Sequence, residues 1–406
     1  MILKTKNLWV VTGALLLFAN PVLAQLSAPT EAAHVEFGPV AIYPTVQLLD
    51  AGIDDNVFND GVAPHRDYTF TFATKVLAVT RLGENELLFQ VGSDYVWFKE
   101  FETERSGNAQ YAARFNLSAS RFKPFFGAEH IRSNVRRSPE IDARARRSDS
   151  AVLGGLRYEL TPRTSLTGSV RLDSSIYDDG ETFRGVALDQ ALNHTGRGGE
   201  AGVRYAVTPL TTLAVMAGYE EETFDQAHVR DLKRYTVGPS FEFSPEAAIR
   251  GRVVTNFEVF KPEDPTLAER KGFAYQAIVN WLLYERTAFD LGAGRNISYS
   301  YQETEPYYLL TNVRLVVSQP IGLGLEIYGG GDWEHMAYKW HQDANPAPGE
   351  SDRVDTLAAV NGGFGIRMGP NLRLRVGVER TRRRSVADPV QNFTRTRILT
   401  NVTLGS

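Results

Sequence analysis

The stretch "YELTPRTSLTGSVRLD", from Tyr158 to Asp173, returns in nearly the same form as "YAVTPLTTLAVMAGYE", from Tyr205 to Glu220. Each copy has an aromatic residue, a Thr-Pro step and an alternating run of apolar and polar residues. Proline cannot donate a hydrogen bond to a strand ladder, and its fixed φ suits the first corner of a tight turn. Each copy therefore predicts a β-hairpin, and the repetition predicts an architecture built of hairpins.

The predicted strands beside these turns keep their alternation over an unusual length. Between Leu372 and Val378, leucine and valine occupy every second position, and Arg373, Arg375 and Gly377 lie between them. Such runs hold for about 9–11 residues, the length that crosses a bilayer, whereas strands of soluble sandwiches have about 5–6. Lipid outside and water inside a closed ring require this pattern. The predicted fold class is therefore an all-β, transmembrane, antiparallel up-and-down β-barrel.

The number of strands follows from the alternation of short turns and long polar loops, which is typical of outer-membrane barrels. Prolines mark six predicted short turns, at Pro124, Pro162, Pro209, Pro245, Pro320 and Pro370. Two more are predicted at Leu82–Asn85 and Tyr284–Thr287. These turns imply eighteen strands, with sixteen as the alternative. The first strand should start near Tyr43, and the last should run from about Phe393 to Leu404.

The start of the chain has the layout of a secretory signal peptide. Lys4 and Lys6 precede an apolar run that is too short to span a bilayer, and Ala24 closes a cleavage site of small residues. We therefore expect a signal peptide at 1–24, a short periplasmic segment at 25–42 and the barrel at 43–406, in the outer membrane of a Gram-negative bacterium.

Composition excludes several other classes of function. The net charge is −4, or −6 without residues 1–24, whereas a nucleic-acid-binding domain is normally basic. The absence of cysteine rules out disulfides and thiolate metal sites. None of the seven histidines has the spacing of a metal site, and the nucleophile elbow, the Walker loop and the dinucleotide-binding motif do not occur. We predict no catalytic residue, no metal and no cofactor, and hence no enzyme.

Arginine is frequent on the polar alternate of the predicted strands. Near the bilayer midplane, an arginine facing lipid would cost about 2–4 kcal/mol, so these side chains should line the lumen. They are Arg114, Arg157, Arg171, Arg204, Arg250, Arg252, Arg314, Arg367, Arg373, Arg375, Arg395 and Arg397. The acids assigned to the same side are fewer, namely Asp94, Glu159, Asp173, Glu200, Glu258, Glu326 and Glu379. Surplus guanidinium groups would favour anions and bind carboxylates or phosphates in a forked geometry, whereas paired ones would only brace the wall.

Aromatic residues cluster near the predicted strand ends. Amphipathic rings favour the headgroup level of a membrane, so these residues should form aromatic girdles. The predicted members are Tyr95, Trp97, Trp281, Tyr284, Tyr307, Tyr308, Trp333 and Trp340.

The stretch "VQLLDAGIDDNVF", from Val46 to Phe58, resembles the start of the putative β-barrel porin 2 family. In that family the first strand commonly ends in an Asp-Asn-Val/Ile-Phe step, which here is Asp55, Asn56, Val57 and Phe58. As repeated long strands, the resemblance extends over about residues 40–406. It implies an outer-membrane barrel of a kind often associated with exopolysaccharide or capsule secretion, and it carries no catalytic residues.

Three functions stay open at the level of sequence. The first is a conduit that exports an anionic exopolysaccharide, the second is a general diffusion porin for small anionic solutes, and the third is a scaffold or adhesin that acts through its external loops. The expected partners are outer-membrane lipid and lipopolysaccharide, periplasmic polysaccharide-export proteins, and a polysaccharide or small anionic solute as passenger. A nucleic acid is not expected.

Overall fold

Eighteen antiparallel strands form one closed barrel, which confirms the predicted fold class and strand number. The computed structural model describes Leu26 and residues 35–136, 138–284, 286–339, 353–369 and 371–405. The predicted signal peptide and Trp340 lie outside these residues, as does half of the predicted periplasmic segment. Among the described residues, no helix is long and apolar enough to cross a membrane.

The barrel strands are numbered β1 to β18 in chain order. The first nine are β1 Val40–Asp54, β2 Asp67–Leu82, β3 Asn85–Phe98, β4 Ser106–Asn116, β5 Phe122–Val135, β6 Ala145–Glu159, β7 Thr164–Tyr177, β8 His194–Thr208 and β9 Thr211–Phe224. The second nine are β10 Leu232–Phe243, β11 Ile249–Pro262, β12 Arg270–Leu283, β13 Thr287–Tyr299, β14 Tyr307–Gly322, β15 Leu325–Lys339, β16 Val354–Met368, β17 Leu372–Ser385 and β18 Phe393–Gly405.

Nine external loops join the strands on one side of the barrel, and L1 to L9 denote them in chain order. They include L1 (55–66), L2 (99–105), L3 (136–144), L4 (178–193) and L7 (300–306). L4 contains the short helix α1, Leu188–Leu192, and a two-stranded ribbon of Thr182–Phe183 and Val186–Ala187. Single 3₁₀ turns occur at Glu102–Glu104, His228–Arg230 and Pro389–Gln391, and a short strand, Val35–Phe37, pairs with β1.

The ring closes where β1 pairs with β18, from Thr45 opposite Gly405 to Asp54 opposite Arg397. The register of this pair shifts between Leu48 and Ala51, where Asp50 takes a φ of +53°. This β-bulge adds one residue to β1, and the side chains before and after it still alternate between the inner and the outer face of the barrel.

The outer surface of the barrel consists largely of apolar side chains at every second strand position. Val170, Phe273 and Phe364 are 65–70% exposed, and many more alternate positions carry exposed valine, leucine or phenylalanine. Large apolar side chains exposed to this degree over a whole sheet face would aggregate in water. Hydrocarbon is their natural environment, so this face is the lipid-contacting one.

The two quoted stretches are hairpins with periplasmic turns, as predicted. In both turns the threonine before the proline accepts hydrogen bonds from backbone amides two or three residues on. Thr161 Oγ1 accepts from Arg163 and Thr164, and Thr208 Oγ1 accepts from Leu210. The side-chain oxygen replaces partners that the turn backbone lacks.

Two predicted turn positions were wrong. Pro124 lies inside β5, and Pro320 lies inside β14. The chain turns instead at 117–121 and at 323–324, where Ser120 and Leu323 take positive φ values. Pro370 lies outside the described residues.

Candidate functional site

The lumen is the candidate functional site, and the predicted arginines project into it. Arg375 on β17 donates to Ser318 on β14, and Arg204 on β8 pairs with Glu242 on β10. Side chains of strands that are not neighbours can meet in this way only across the concave inner face. The same alternation that exposes Val376 and Val378 outside turns Arg375 inward.

One side of the lumen holds a chamber of about 930 Å³ that is open to solvent. Arg373 and Arg375 share one carboxylate there, Glu326 on β15. Arg373 Nη2 lies 2.6 and 2.7 Å from its two oxygens, and Arg375 Nε lies 2.7 Å from Oε1. Glu326 is buried and the two arginines are only partly exposed, so most of the positive charge of the two arginines is neutralised locally.

The other two arginines of the chamber are paired as well. Arg397 contacts Glu379 at 2.5 Å and Asp50 at 3.7 Å, and Arg314 lies 3.5 Å from Asp332. Arg314, Arg373, Arg375 and Arg397 are thus matched in number by four carboxylates. The chamber is polar and close to neutral.

Two glycines keep one wall of the chamber flat. The ring of Tyr328 lies along the inner wall over β16 and β17, and the Arg375 guanidinium is 4.7 Å from its centre. A Cβ at Gly377 would lie 2.1 Å from the Tyr328 hydroxyl, and one at Gly363 would lie 2.7 Å from it. Only glycine permits this close approach, and the ring in turn holds Arg375 against Glu326.

A second group of arginines, the periplasmic patch, lies on the opposite inner wall near the short turns. It consists of Arg157, Arg204, Arg250 and Arg252 with the single carboxylate Glu242. Arg204 makes a two-pronged pair with Glu242, one prong being 2.8 Å. Arg252 stands opposite Glu242 in the β10–β11 ladder, and Arg250 Nε donates to a turn carbonyl, that of Ala247, at 3.1 Å.

The periplasmic patch carries unneutralised positive charge. In the described part of the chain, neither Arg157 nor Arg250 nor Arg252 has a carboxylate within ion-pair distance. The neighbouring pair, Lys123 with Glu159, is balanced at 2.6 Å. Four guanidinium groups against one carboxylate leave a surplus of three, and both Arg157 and Arg252 are exposed to the lumen.

The remaining predicted arginines lie elsewhere on the inner wall. Arg171 contacts Glu129 and Asp173 at 3.1 Å each, and Arg395 pairs with Asp54 at the external end of β1. Arg367 stands opposite Arg373 in the β16–β17 ladder, and Arg114 donates to Asn116 at 3.0 Å. Their part in transport stays a prediction.

L3 crosses the external mouth of the lumen. It leaves the wall after β5, whereas L7 leaves the wall after β13, which is eight strands further along the ring of eighteen. Its Pro139 carbonyl accepts from Arg383 on β17 at 2.6 Å, and its Glu140 carboxylate accepts from Ser300 and Tyr301 of L7, the latter at 3.2 Å. A chain that bonds to both sides of the mouth narrows it.

The loops that meet at the mouth share a small apolar core. Side chains from L3, L4 and L7 pack there against the ends of β6, β7 and β9. The buried members are Ile141, Ala145, Tyr177, Leu188, Ala191, Leu192, Phe224 and Tyr301. We call L3, L4 and L7 with this core the external closure.

Buried charges surround the external closure. Asp355 is fully buried and accepts from Arg353 at 2.7 Å and from Arg383 at 2.9 Å, and Arg353 also contacts Glu305 at 3.2 Å. Complete burial raises the pKa of Glu140 to about 7, although the hydrogen bonds of L7 and the guanidinium groups of Arg353 and Arg383 lower it. Arg353 and Arg383 thus both have carboxylate partners, unlike Arg157 and Arg252 of the periplasmic patch.

The Asp-Asn-Val-Phe step fastens the external closure to the start of the barrel. Asn56 is buried and donates to Asp60 O at 2.7 Å and to Thr394 O at 3.1 Å. The carbonyl of the buried Val57 accepts from Arg136 of L3 at 2.5 Å. Asp55 accepts from the Thr396 amide at 2.6 Å, and Phe58 packs edge-on against Phe101 of L2. The step is thus an anchor for L1 and L3.

The aromatic girdle is only partly as predicted. Tyr95, Trp281, Tyr284 and Trp333 are exposed, and Trp97 lies on the same outer face as Tyr95, stacked on Phe70. Trp340 lies outside the described residues.

The prediction that Tyr307 and Tyr308 belong to the girdle was wrong, because both are buried. Beyond Arg295, β13 leaves β12 and pairs with β14 alone, and its end leans into the lumen, where Tyr299 bonds His194 at 2.7 Å. Tyr307, opposite Tyr299, follows it and packs on Phe260. Tyr308 is on the inner alternate and packs on Tyr338.

Several acids of the inner wall were missed by the sequence prediction. Glu242 and Asp332 follow the same alternation as the arginines and could have been assigned from it. Asp50 could not, because it lies in the bulge of β1, where the alternation slips by one residue. With these acids included, the four arginines that line the chamber are matched by carboxylates, whereas those of the periplasmic patch are not.

Comparison with known proteins identifies the family. The model of the family described as Putative beta-barrel porin 2 matches residues 28–406. No curated protein gives a match. Among solved structures, OccK3 (OpdO) of Pseudomonas aeruginosa is 14% identical with a TM-score of 0.46, covering 90% of this chain and 96% of that one.

Two further solved structures are similar to the same degree. OccK2 (OpdF) of P. aeruginosa, in complex with glucuronate, is 13% identical with a TM-score of 0.47, covering 90% of this chain and 98% of that one. A BenF-like porin from Pseudomonas fluorescens Pf-5 is 12% identical with a TM-score of 0.46, covering 91% and 99%. Because the family model spans the whole barrel, this chain belongs to the Putative beta-barrel porin 2 family and is an outer-membrane, porin-like β-barrel.

Proposed function

We propose that this barrel is the outer-membrane conduit through which an anionic exopolysaccharide leaves the periplasm. The observation that carries the proposal is the periplasmic patch, with its surplus of three guanidinium groups. A polymer with a carboxylate on each repeat would meet exposed arginines at the mouth that an exported chain enters first. Guanidinium groups bind carboxylates in a forked geometry and raise the local concentration of anions.

The external closure supports export over free diffusion. L3 spans the mouth on the far side and is held by buried ion pairs, so a passenger leaves only when these loops yield. Such a barrel leaks little when no polymer is in transit. From the patch toward the external mouth, the path passes the neutral chamber, where a moving polyanion would not be bound tightly.

Deleting the gene in the source bacterium and measuring surface polysaccharide tests the proposal. Export should fall after deletion, return with the wild-type gene and return poorly with R157E/R252E. A matched control is R132Q/R197Q, which removes two exposed arginines of the outer face. Unchanged surface polysaccharide after deletion would refute export.

A second candidate is a diffusion porin for small anionic solutes. The chamber favours it, because this solvent-open space is lined by Arg373 and Arg375, whose guanidinium forks match the geometry of carboxylates. Purified protein in planar bilayers separates the two functions. A porin conducts steadily and shows block by small carboxylates, whereas the proposed exporter stays mostly closed.

A further inference from the structure

The outer face of β17 changes character along its length. Its lower alternate positions are apolar, with Val376 and Val378 exposed to the hydrocarbon. The next three, Arg380, Arg382 and Arg384, are also exposed on this outer face. Successive same-face positions on a strand lie about 7 Å apart, so the three guanidinium groups form one short column.

The inward-pointing side chain of Arg383 shows that the column points away from the lumen. Arg383, between Arg382 and Arg384, is buried and bonds Pro139 and Asp355 inside the barrel. Because side chains alternate across a strand, Arg382 and Arg384 point outward. The column therefore faces the membrane, above the apolar band and at the external end of the strand.

The neighbouring strands do not neutralise the column. On β16, the residues opposite the column are Thr356, Ala358 and Val360. On β18, they are Thr394 and Thr396. Within the described part of the chain, no carboxylate lies within ion-pair distance of Arg380, Arg382 or Arg384. The flanking threonines add hydroxyl groups that can donate to oxygen.

Three other cations at this end of the outer face are paired. Arg197 contacts Glu221 at 2.9 Å, Arg132 contacts Asp178 at 3.2 Å and Lys271 contacts Glu269 at 3.0 Å. The column on β17 departs from this arrangement. Three adjacent like charges repel one another, so they are stable together where anions from outside the chain supply the balance.

We propose that Arg380, Arg382 and Arg384 form a binding site for the phosphate groups of a phosphorylated glycolipid in the outer leaflet. The column lies beside the apolar band, where the headgroup of such a lipid meets the protein and its acyl chains cover Val376 and Val378. Arginine forks match phosphate oxygens with two parallel hydrogen bonds, and water is scarcer there than in bulk. This site is separate from the lumen and does not depend on its passenger.

The test compares two triple variants that each remove three cations of the outer face. R380Q/R382Q/R384Q removes the column, and R132Q/R197Q/K271Q removes the paired cations. The probe is bisphosphorylated lipid A added to protein in detergent, with bound lipid counted by native mass spectrometry. The column variant should bind it at least about tenfold more weakly, equal to about 1.4 kcal/mol. The affinity of the control variant for this lipid should stay within about twofold of that of wild type.

Two further arms distinguish the lipid from phosphate alone. Dephosphorylated lipid A should bind wild type and the column variant equally weakly. Inorganic phosphate at millimolar concentration should not displace the bound lipid, whereas ready displacement would reveal a site for free phosphate and overturn the proposal. Equal binding of bisphosphorylated lipid by wild type and column variant would also overturn it. Heat-modifiable migration in detergent gels checks folding, and R382Q alone, with a smaller loss, serves if the triple variant does not fold.

Discussion

The periplasmic patch and the external closure use the same residue type and differ in what surrounds it. Arg157 and Arg252 of the patch are exposed to the lumen and lack carboxylates among the described residues, whereas Arg353 and Arg383 at the closure are buried and share Asp355. Exposed cations attract passing anions over a Debye length of about 8 Å. Buried, paired cations attract little from outside and hold loops in place instead.

The largest effect is expected from breaking the closure at Asp355. Asp355→Asn leaves Arg353 and Arg383 without the shared carboxylate, which costs about 3–5 kcal/mol when the groups are buried. L3 should loosen, because Arg383 also holds the Pro139 carbonyl. Hydrogen exchange of the amides of residues 138–144 measures this loosening, since exchange reports local opening.

The matched control for this change is Glu221→Gln. It also removes the carboxylate of an arginine pair, but the pair lies on the exposed outer face. Exchange in L3 should not respond to it. Equal protection of L3 in wild type and Asp355→Asn would mean that the buried charges do not hold the closure.

The second effect is a pH dependence of the closure through Glu140. Burial raises the pKa of Glu140 from 4.5 to about 7, so the protonated carboxyl stabilises the docked form of L3. This stabilisation is complete below pH 4.5 and is lost as the pH rises through about 7. Between pH 6 and pH 8 the open fraction should rise about tenfold by this linkage. Single-channel open probability measures it.

Glu140→Gln serves as the control, because it mimics the neutral carboxyl at every pH. Its open probability should stay low and should lose the dependence on pH. If wild-type channels instead opened as the pH fell, the carboxylate would be held ionised by Arg353 and Arg383, and burial would not dominate.

The third effect concerns the periplasmic patch. R157E/R252E changes its balance from four cations and one acid to two cations and three acids. The chloride-to-potassium permeability ratio should fall about fivefold, equal to about 1 kcal/mol. Reversal potentials in a salt gradient measure the ratio.

The charge-retaining variant R157K/R252K controls for the shape of the side chains. It should preserve the permeability ratio, since the surplus of positive charge is unchanged. A ratio that stayed at the wild-type value in R157E/R252E would show that ions do not pass this wall.

The patch and the closure also differ in how far the sequence predicts them. Strict alternation in β6 and β8 placed Arg157 and Arg204, because lipid on one face and water on the other dictate the side of each residue. The eighteen strands followed from a different signal, the count of short turns between long polar loops, although Pro124 and Pro320 did not mark their turns correctly. The alternation also identifies Glu242, so the local balance of charge was within reach.

The closure depends on contacts that local patterns do not encode. Nothing near Pro139 in sequence indicates that its carbonyl meets Arg383 across the ring. Likewise, the inward lean of β13 depends on Tyr299 reaching His194, two residues from separate strands. The polarity of L3 predicts only a loop, since polar loops in general lie in solvent.

The smallest effect is expected from a change that gives the chamber a small surplus of positive charge, as the patch has. Glu379→Gln removes one of two carboxylates near Arg397 and leaves Asp50 at 3.7 Å. Because one partner remains, anion preference should rise only about twofold, equal to about 0.4 kcal/mol. The same reversal-potential measurement detects it, with the outer-face change Glu221→Gln as control. A rise as large as the fall caused by R157E/R252E would place the selective step in the chamber, and the contrast between the walls would then not govern permeation.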